Sequence, residues 1–420
     1  MQGRSLKLGV LSLVPFIMVL GNSMLIPVLP RMMRVMHLSL FQAGLVVTAF
    51  SIPAGIVIPL AGALSDRVGR KVVMVPALAL YGLAGLAAGL ASWVSPHAYP
   101  WIIGLRVVQG IGAGGTYQLA MAVAGDIFQN RSRARALGLL EASNGLGKVV
   151  SPIAGSALAL IIWFAPFFVY GILSFPIAWA VWRVIEEPKE RPAQGSTQRY
   201  LKDLGTTFRE KGRSIGATFL DGAVVLFALF GVLSLLADVL EKNYGLREFP
   251  RGLIIAVPVL FSAATSYLSG TLLQKRLARW SRPVAAAGLA VIAVALAAEA
   301  VVSAPLFAML ALVVQGVGTG ATLPSLNTLV TSAVTSAERG VLTSLYGSVR
   351  FFGVALGPPV FALAMTSRPL VFFGAAALAA LASVVSWYLI DETSMLPASL
   401  RGGEAAPPKA SAPRRRSKLR

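Results

Sequence analysis

Val107-Val108-Gln109-Gly110-Ile111-Gly112-Ala113-Gly114 recurs, 206 residues further on, as Val313-Val314-Gln315-Gly316-Val317-Gly318-Thr319-Gly320. The same offset pairs Arg133 with Arg339, Asn144 with Arg350, Gly147 with Gly353 and Pro152 with Pro358. A repeat of half the 420-residue chain is the mark of a duplication. Both copies lie inside apolar runs, so the duplicated unit is built for lipid, and a path for cargo is expected between the two units near the bilayer midplane.

Composition agrees. Hydrophobic residues make up 56% of the chain and charged residues 13%, against ~25% charged in an ordinary soluble domain. A helix rising ~1.5 Å per residue needs roughly 20 apolar residues to cross a hydrocarbon core of about 30 Å. Such runs fall near 8–30, 43–63, 72–93, 101–126, 138–162 and 165–182, then near 215–240, 252–273, 283–303, 305–330, 341–365 and 369–390. The first is preceded by Arg4 and Lys7 but is too long for a signal peptide and has no small-residue cleavage site after it. The polar stretch 183–213 holds Pro188, Pro192, Gly195 and mixed charge, and reads as a linker. The expected fold is all-α and polytopic: twelve transmembrane helices in two pseudo-symmetric six-helix bundles, residues 1–182 and 214–391, with a basic tail of disordered composition over 392–420.

With the amino terminus inside, 28 of the 37 Lys and Arg fall in cytoplasmic segments, which predicts both termini in the cytoplasm of a cell's plasma membrane. The net charge of +20 is scattered over loops and a tail containing Arg414, Arg415, Arg416 and Lys418. Attraction to anionic headgroups accounts for it without nucleic acid. There is no cysteine, which excludes disulfides and thiol chemistry. His37 and His97 stand in short outward loops without a second ligand, so no metal is expected. Gly110, Gly112 and Gly115 satisfy GxGxxG, but no strand precedes them. Gly147-Lys148 resembles the end of a P-loop, but Ala142 and Val149 stand where it needs glycine and Ser/Thr. No cofactor is therefore expected, and an ion gradient is the expected drive. No nucleophile, base and orienting group occur together, which argues against an enzyme.

Gly62-Ala63-Leu64-Ser65-Asp66-Arg67-Val68-Gly69-Arg70-Lys71 resembles the signature between helices 2 and 3 of the major facilitator superfamily. The resemblance implies a latch holding the outward-open state, formed by Gly62, Asp66, Arg67, Gly69, Arg70 and, at the end of helix 4, Asp126. Gly270 to Arg276 is a degenerate copy without the aspartate. Leu105-Arg106 with Gln109-Gly110 resembles the family's second motif, whose buried arginine is linked to proton coupling; an arginine inside a span is costly on any reading. Gly138, Gly147, Ser151-Pro152 and Gly155-Ser156 are similar to the antiporter motif of twelve-helix drug:proton antiporters, with serines where glycines are usual. Residues 147, 151 and 155 fall four apart, a stripe for close helix packing. Pro27 and Pro30 after Gly21-Asn22 resemble that family's first helix. The resemblance runs from about residue 20 to 365.

Glu141, Asn144 and Lys148 share one helix face over two turns, and Lys148 lies roughly 15 Å from the cytoplasmic end. Arg350 is at the matching depth of the other half, and Asp221 is the acid placed near it. Arg106, Glu141 and Asp221 are the candidates for proton coupling. Asn22, Gln109, Tyr117, Gln118, Asn144, Lys148, Gln315, Asn327 and Arg350 are the candidates for a substrate cavity. Asp238, Glu241 and Glu299 read as solvated rim residues. Three cations against two acids argue against a dedicated cation pump, leaving neutral, zwitterionic or anionic cargo open. The expectation is proton-coupled export of small amphipathic or drug-like compounds by a monomer; the alternative is uptake or exchange of a metabolite or organic anion. A receptor or scaffold would leave the duplication and the midplane charges idle.

Overall fold

A computed structural model describes residues 2–128, 130–186, 197–301, 304–333 and 339–395. These residues form helices in chain order: α1 Gln2–Ser23, α2 Leu29–Met36, α3 Leu40–Val68, α4 Arg70–Val94, α5 Tyr99–Gly114, α6 Tyr117–Ile127, α7 Asn130–Ile161 and α8 Ala165–Val184. The second half follows as α9 Thr197–Tyr244, α10 Glu248–Val301, α11 Pro305–Ser332, α12 Arg339–Ala362, α13 Arg368–Leu389 and α14 Glu392–Met395. No strand occurs among the described residues.

Local chemistry sets the helix ends. Ser39 and Gln42 exchange side-chain and backbone hydrogen bonds in a capping box that starts α3. Gly69 ends α3 at φ +116°, a conformation open to glycine alone, so α4 begins one residue later at Arg70. That is the physical role of Gly69 in its motif.

Eleven helical segments among the described residues have the length and apolarity to cross a bilayer. The shortfall from twelve lies at residues 99–127. The chain breaks there at Gly115-Thr116 into pieces of 16 and 11 residues, with Thr116 donating back to the Ala113 carbonyl at 2.6 Å. Six of the seven tryptophans are exposed, and they gather at helix ends: Trp93 and Trp101 toward one face of the slab, Trp179, Trp182, Trp280 and Trp387 toward the other. Such belts are where amphipathic rings meet headgroups.

The repeated glycines explain how each half closes. A Cβ on Gly110 would strike the Phe50 carbonyl, and one on Gly114 would meet Val57, so α5 runs beside α3 in the same direction. Gly112 and Gly115 press on Ala77, Tyr81 and Val73 of α4, which runs the opposite way. In the second copy Gly316 and Gly320 lie on the Pro258 and Ser262 carbonyls, and Gly318 packs on Gly288 and Ile292. The segments Glu248–Gly270 and Trp280–Val301 of α10 therefore flank α11 in opposite directions. Backbone contact this close is what the glycines provide.

Two boundaries differ from expectation. Arg183 and Val184 finish α8, and helix resumes at Thr197, so much of 183–213 is helical; 187–196 lie outside the described residues. Of the tail, Glu392–Met395 form a turn of helix that buries Met395 against Ile215 and Leu342, and 396–420 lie outside the described residues.

The halves meet along two seams. Thr48 donates to the Ala355 carbonyl at 2.6 Å and Ser348 to the Gly55 carbonyl at 2.5 Å, joining α3 to α12. Gly252 of α10 fits against Pro152 and Ser156 of α7. Among the described residues α11 has no packing seam with α6 or α7, so a crevice between the halves opens on the side where Asp66 ends α3.

Candidate functional site

Arg106 is fully buried, and its bonds are all to neutral oxygens. Its Nη1 donates to the Gly21 carbonyl and Gln109 Oε1, both at 2.8 Å; Nη2 reaches Asn22 Oδ1 at 2.7 Å and Nε the Val46 carbonyl at 3.0 Å. The guanidinium lies 4.3 Å from the Phe50 ring centroid. Tyr170 donates to Gln109 at 3.4 Å and Tyr81 to the Ile17 carbonyl at 2.9 Å. Arg106 thus ties α1, α3 and α5 together. Among the described residues no carboxylate pairs with it. Gln109 is buried in this cluster and not in the crevice, and Gln315, its counterpart by the repeat, is buried likewise; neither lines the cavity expected of it.

At the depth of the crevice lies a cavity of about 70 Å³. Asn22, Ser23, Tyr117, Gln118, Asn144, Lys148 and Arg350 supply its polar lining, and Phe50, Phe230 and Phe351 its rings. Asn327 stands behind, its Oδ1 3.5 Å from Arg350 Nη1. Arg350 also lies over the Tyr346 ring, 5.3 Å from its centroid. Among the described residues no hydrogen bond or ion pair engages Lys148. Tyr117 donates to Glu141 Oε1 at 2.5 Å, placing that exposed carboxylate at the crevice edge on the open side.

Asp221 does not lie in this lining. It is fully buried on α9 with Ser386 of α13 beside it, and neither carboxylate oxygen finds a hydrogen-bond donor among the described residues. Its neighbour Gly222 is the residue that packs on Arg350 and Tyr346. A one-residue turn of the helix, 100° of rotation, separates the face that meets the crevice from the face that carries the acid.

The acids read as rim residues are buried instead. Asp238 and Glu299 are almost wholly enclosed, Glu299 within electrostatic reach of Arg368. Glu241 pairs with Arg34 and with Arg251, the latter fully buried. Glu248 lies 3.4 Å from Arg31 and 3.9 Å from both Arg34 and Arg251, and Lys242 is 2.9 Å from Asp238. Arg31 also donates to the Ala159 carbonyl of α7. This network joins α2 and α7 of the first half to α9 and α10 of the second. It sits at the end of α3 opposite Asp66 and closes the crevice there. Each side chain alone looks like a solvated rim charge, because the partners stand some 200 residues apart in sequence.

In the Gly62–Lys71 motif, Arg70 bridges Asp126 at 2.8 Å and Asp66 at 3.6 Å. All three groups belong to the first half, and Arg70 bridges them while the crevice is open on their side, so these contacts do not by themselves mark the outward-open state. Gly62 packs on Ser344 near the start of α12, with 3.3 Å available to a Cβ. On α7, Gly147 packs on Phe16 and Gly155 on the Met24 carbonyl of the first helical segment, while Ser151 donates to the Gly147 carbonyl at 2.5 Å. Pro152 and Ser156 face Gly252 across the seam, whereas a Cβ on Gly138 would meet nothing within 4 Å among the described residues.

The family model for the Major Facilitator Superfamily matches residues 11–358 and again 277–419. A Bacillibactin exporter of Bacillus subtilis (strain 168) is 37% identical over 382 residues, covering 90% of this chain and 94% of its own. A multidrug efflux protein of the same organism is 30% identical over 355 residues, 81% of each chain. Among solved structures, a bacterial homolog of the human lysosomal transporter Spinster, in an inward-facing and unoccupied conformation, is similar with a TM-score of 0.71 at 20% identity, covering 94% of this chain and 93% of that one. A D-xylose-proton symporter gives a TM-score of 0.73 at 14% identity, covering 92% and 98%.

Proposed function

The chain belongs to the Major Facilitator Superfamily and is a multi-pass membrane transporter, and from that premise we propose that it exports small amphipathic compounds in exchange for protons by alternating access. The observation that carries this is a crevice between the halves, sealed at one end by the Arg31–Arg34–Glu241–Glu248–Arg251 network and lined at depth by Lys148 and Arg350. Ionisable groups at that depth are expensive unless they serve a path.

Residues 1–182 and 214–391 are the two bodies that rock, joined through 183–213. The Lys/Arg distribution supports a cytoplasmic position for both termini and for the open side of the crevice, where an exported compound is loaded. The names of the relatives, exporters of bacillibactin and of drugs, support that direction. Glu141 at the open edge and Asp221, buried without a donor, are the proton carriers: one is reachable from the loading side, and the other needs a proton or a new partner in each state. Asp66, Arg70 and Asp126 brace the turn between α3 and α4. The basic tail meets anionic headgroups, and a single chain suffices.

Reconstitution in liposomes with an imposed pH gradient and a panel of dyes and organic anions tests this. Gradient-driven movement toward the lumen equivalent to the cell exterior is expected, and Asp221→Asn is expected to lower it at least tenfold while sparing exchange without a gradient. Wild-type proton-driven transport in both Glu141→Gln and Asp221→Asn would remove the coupling assignment, and inward accumulation of one nutrient would favour uptake instead.

A further inference from the structure

We infer that the cargo of this crevice is an organic anion with an aromatic body, its charge held between Lys148 and Arg350 and its rings lying against the wall formed by Phe50, Phe230 and Phe351. The inference rests on the transport reading above and narrows it to one charge class.

The first ground is the state of the two cations. Lys148 on α7 has no hydrogen bond or ion pair among the described residues. Arg350 on α12 has a single long contact, 3.5 Å to Asn327, and the Tyr346 ring; its Nε is buried without an acceptor. Both border one cavity whose lining contains no carboxylate. The acid at the edge, Glu141, already accepts from Tyr117. Elsewhere among the described residues, Arg106 is met by four oxygens and Arg251 is paired with Glu241, although its Nε and Nη2 find no acceptor. What sets Lys148 and Arg350 apart is that they border an open cavity with no carboxylate in its lining, and charges at such depth are kept where they act on a ligand or an ion. A cationic ligand there would meet two like charges in the lining, with Glu141 at the edge, within electrostatic reach of Lys148, the one acid nearby among the described residues; that balance disfavours a cation.

The second ground is the shape of the apolar surface. Phe50 and Phe351 come from different halves, with centroids 6.4 Å apart and planes tilted by 52°. Arg106 stacked on Phe50 holds that ring in place. Flat apolar walls beside a cationic pair suit a planar ring carrying a carboxylate or a comparable acidic group. Because Lys148 belongs to the first half and Arg350 to the second, an anion touching both also draws the halves together, giving the cargo different contacts in the two states of the cycle.

Calorimetry on the purified full-length protein tests this with three probes of one size and different charge: 2-naphthoate, 2-naphthalenemethanol and 2-naphthylmethylammonium. The expected result is binding of the naphthoate at least tenfold tighter than either other probe. Lys148→Gln and Arg350→Gln are each expected to weaken naphthoate at least tenfold, with Lys148→Arg retaining most of the affinity. Equal binding of the three probes, no binding of naphthoate, or unchanged naphthoate affinity in a folded Lys148→Gln protein overturns the inference. The probe series needs no variant, so it decides even if a substitution prevents folding. Binding is read without a gradient: a protein that prefers naphthoate but moves nothing in liposomes upholds the charge assignment and contradicts the transport reading.

Discussion

Arg106→Leu is expected to leave little folded protein. The substitution strips a donor from each of four buried acceptors, the Gly21 and Val46 carbonyls and the amide oxygens of Asn22 and Gln109. A buried polar group left without its partner costs about 1–3 kcal/mol. Partial relaxation and release from burying the charge offset some of this, and a net loss of about 3–5 kcal/mol is expected, the scale seen when a buried charge network is broken. Arg106→Lys keeps the charge but cannot reach all four oxygens, so an intermediate stability is expected. Thermal melting of the detergent-solubilised variants measures it, and transport should fall in step with the folded fraction. An Arg106→Leu protein that melts like the wild type but loses its dependence on pH would assign this arginine to coupling instead.

Glu241→Gln is expected to unseal the closed end. Glu241 is the shared acceptor of Arg34 and Arg251, and without it the fully buried Arg251 keeps only Glu248, 3.9 Å away. An uncompensated buried charge is worth about 3–5 kcal/mol, enough to invert an equilibrium between two conformations that differ by a few kcal/mol. Export is expected to fall at least tenfold, and Glu241→Asp, which keeps the negative charge, to retain part of it. The chain has no cysteine, so Ser23→Cys in the crevice lining provides a lone thiol. It should resist an impermeant maleimide added from outside in the wild-type background and react when Glu241 is Gln. Equal protection in both backgrounds would mean that the network does not close that end.

The fold was open to reading because its determinants are periodic and local. Twelve apolar runs, a duplicated glycine motif and a one-residue turn at Gly69 each specify structure over a few adjacent residues. The count of continuous crossings fell by one at Gly115-Thr116, where a mostly apolar run conceals a break that the fit of its glycines against α4 reveals. The site was harder to read because spacing fixes which residues share a face but not which neighbour that face meets. Glu141, Asn144 and Lys148 share their face by spacing alone. Gln109 and Gln315 are on the right helices, yet point into helix-packing interfaces. Asp221 and Gly222 are consecutive, and a single helical step sends the acid toward Ser386 and the glycine toward Arg350. The Arg31 to Arg251 network was invisible for a different reason: its members come from opposite halves, and one chain carries no record of which distant charges meet.

The central claim is that the two ends of one crevice open in alternation. Spin labels at Val35 and Tyr244, both exposed and flanking the ion network on opposite halves, report one end; labels at Leu139 of α7 and Thr328 of α11 report the other. Pulsed electron resonance distances for both pairs, taken in liposomes at two pH values and with a transported compound, should move in opposite senses, one lengthening as the other shortens. Two distances that stay fixed, or that lengthen together, would contradict alternating access in this protein.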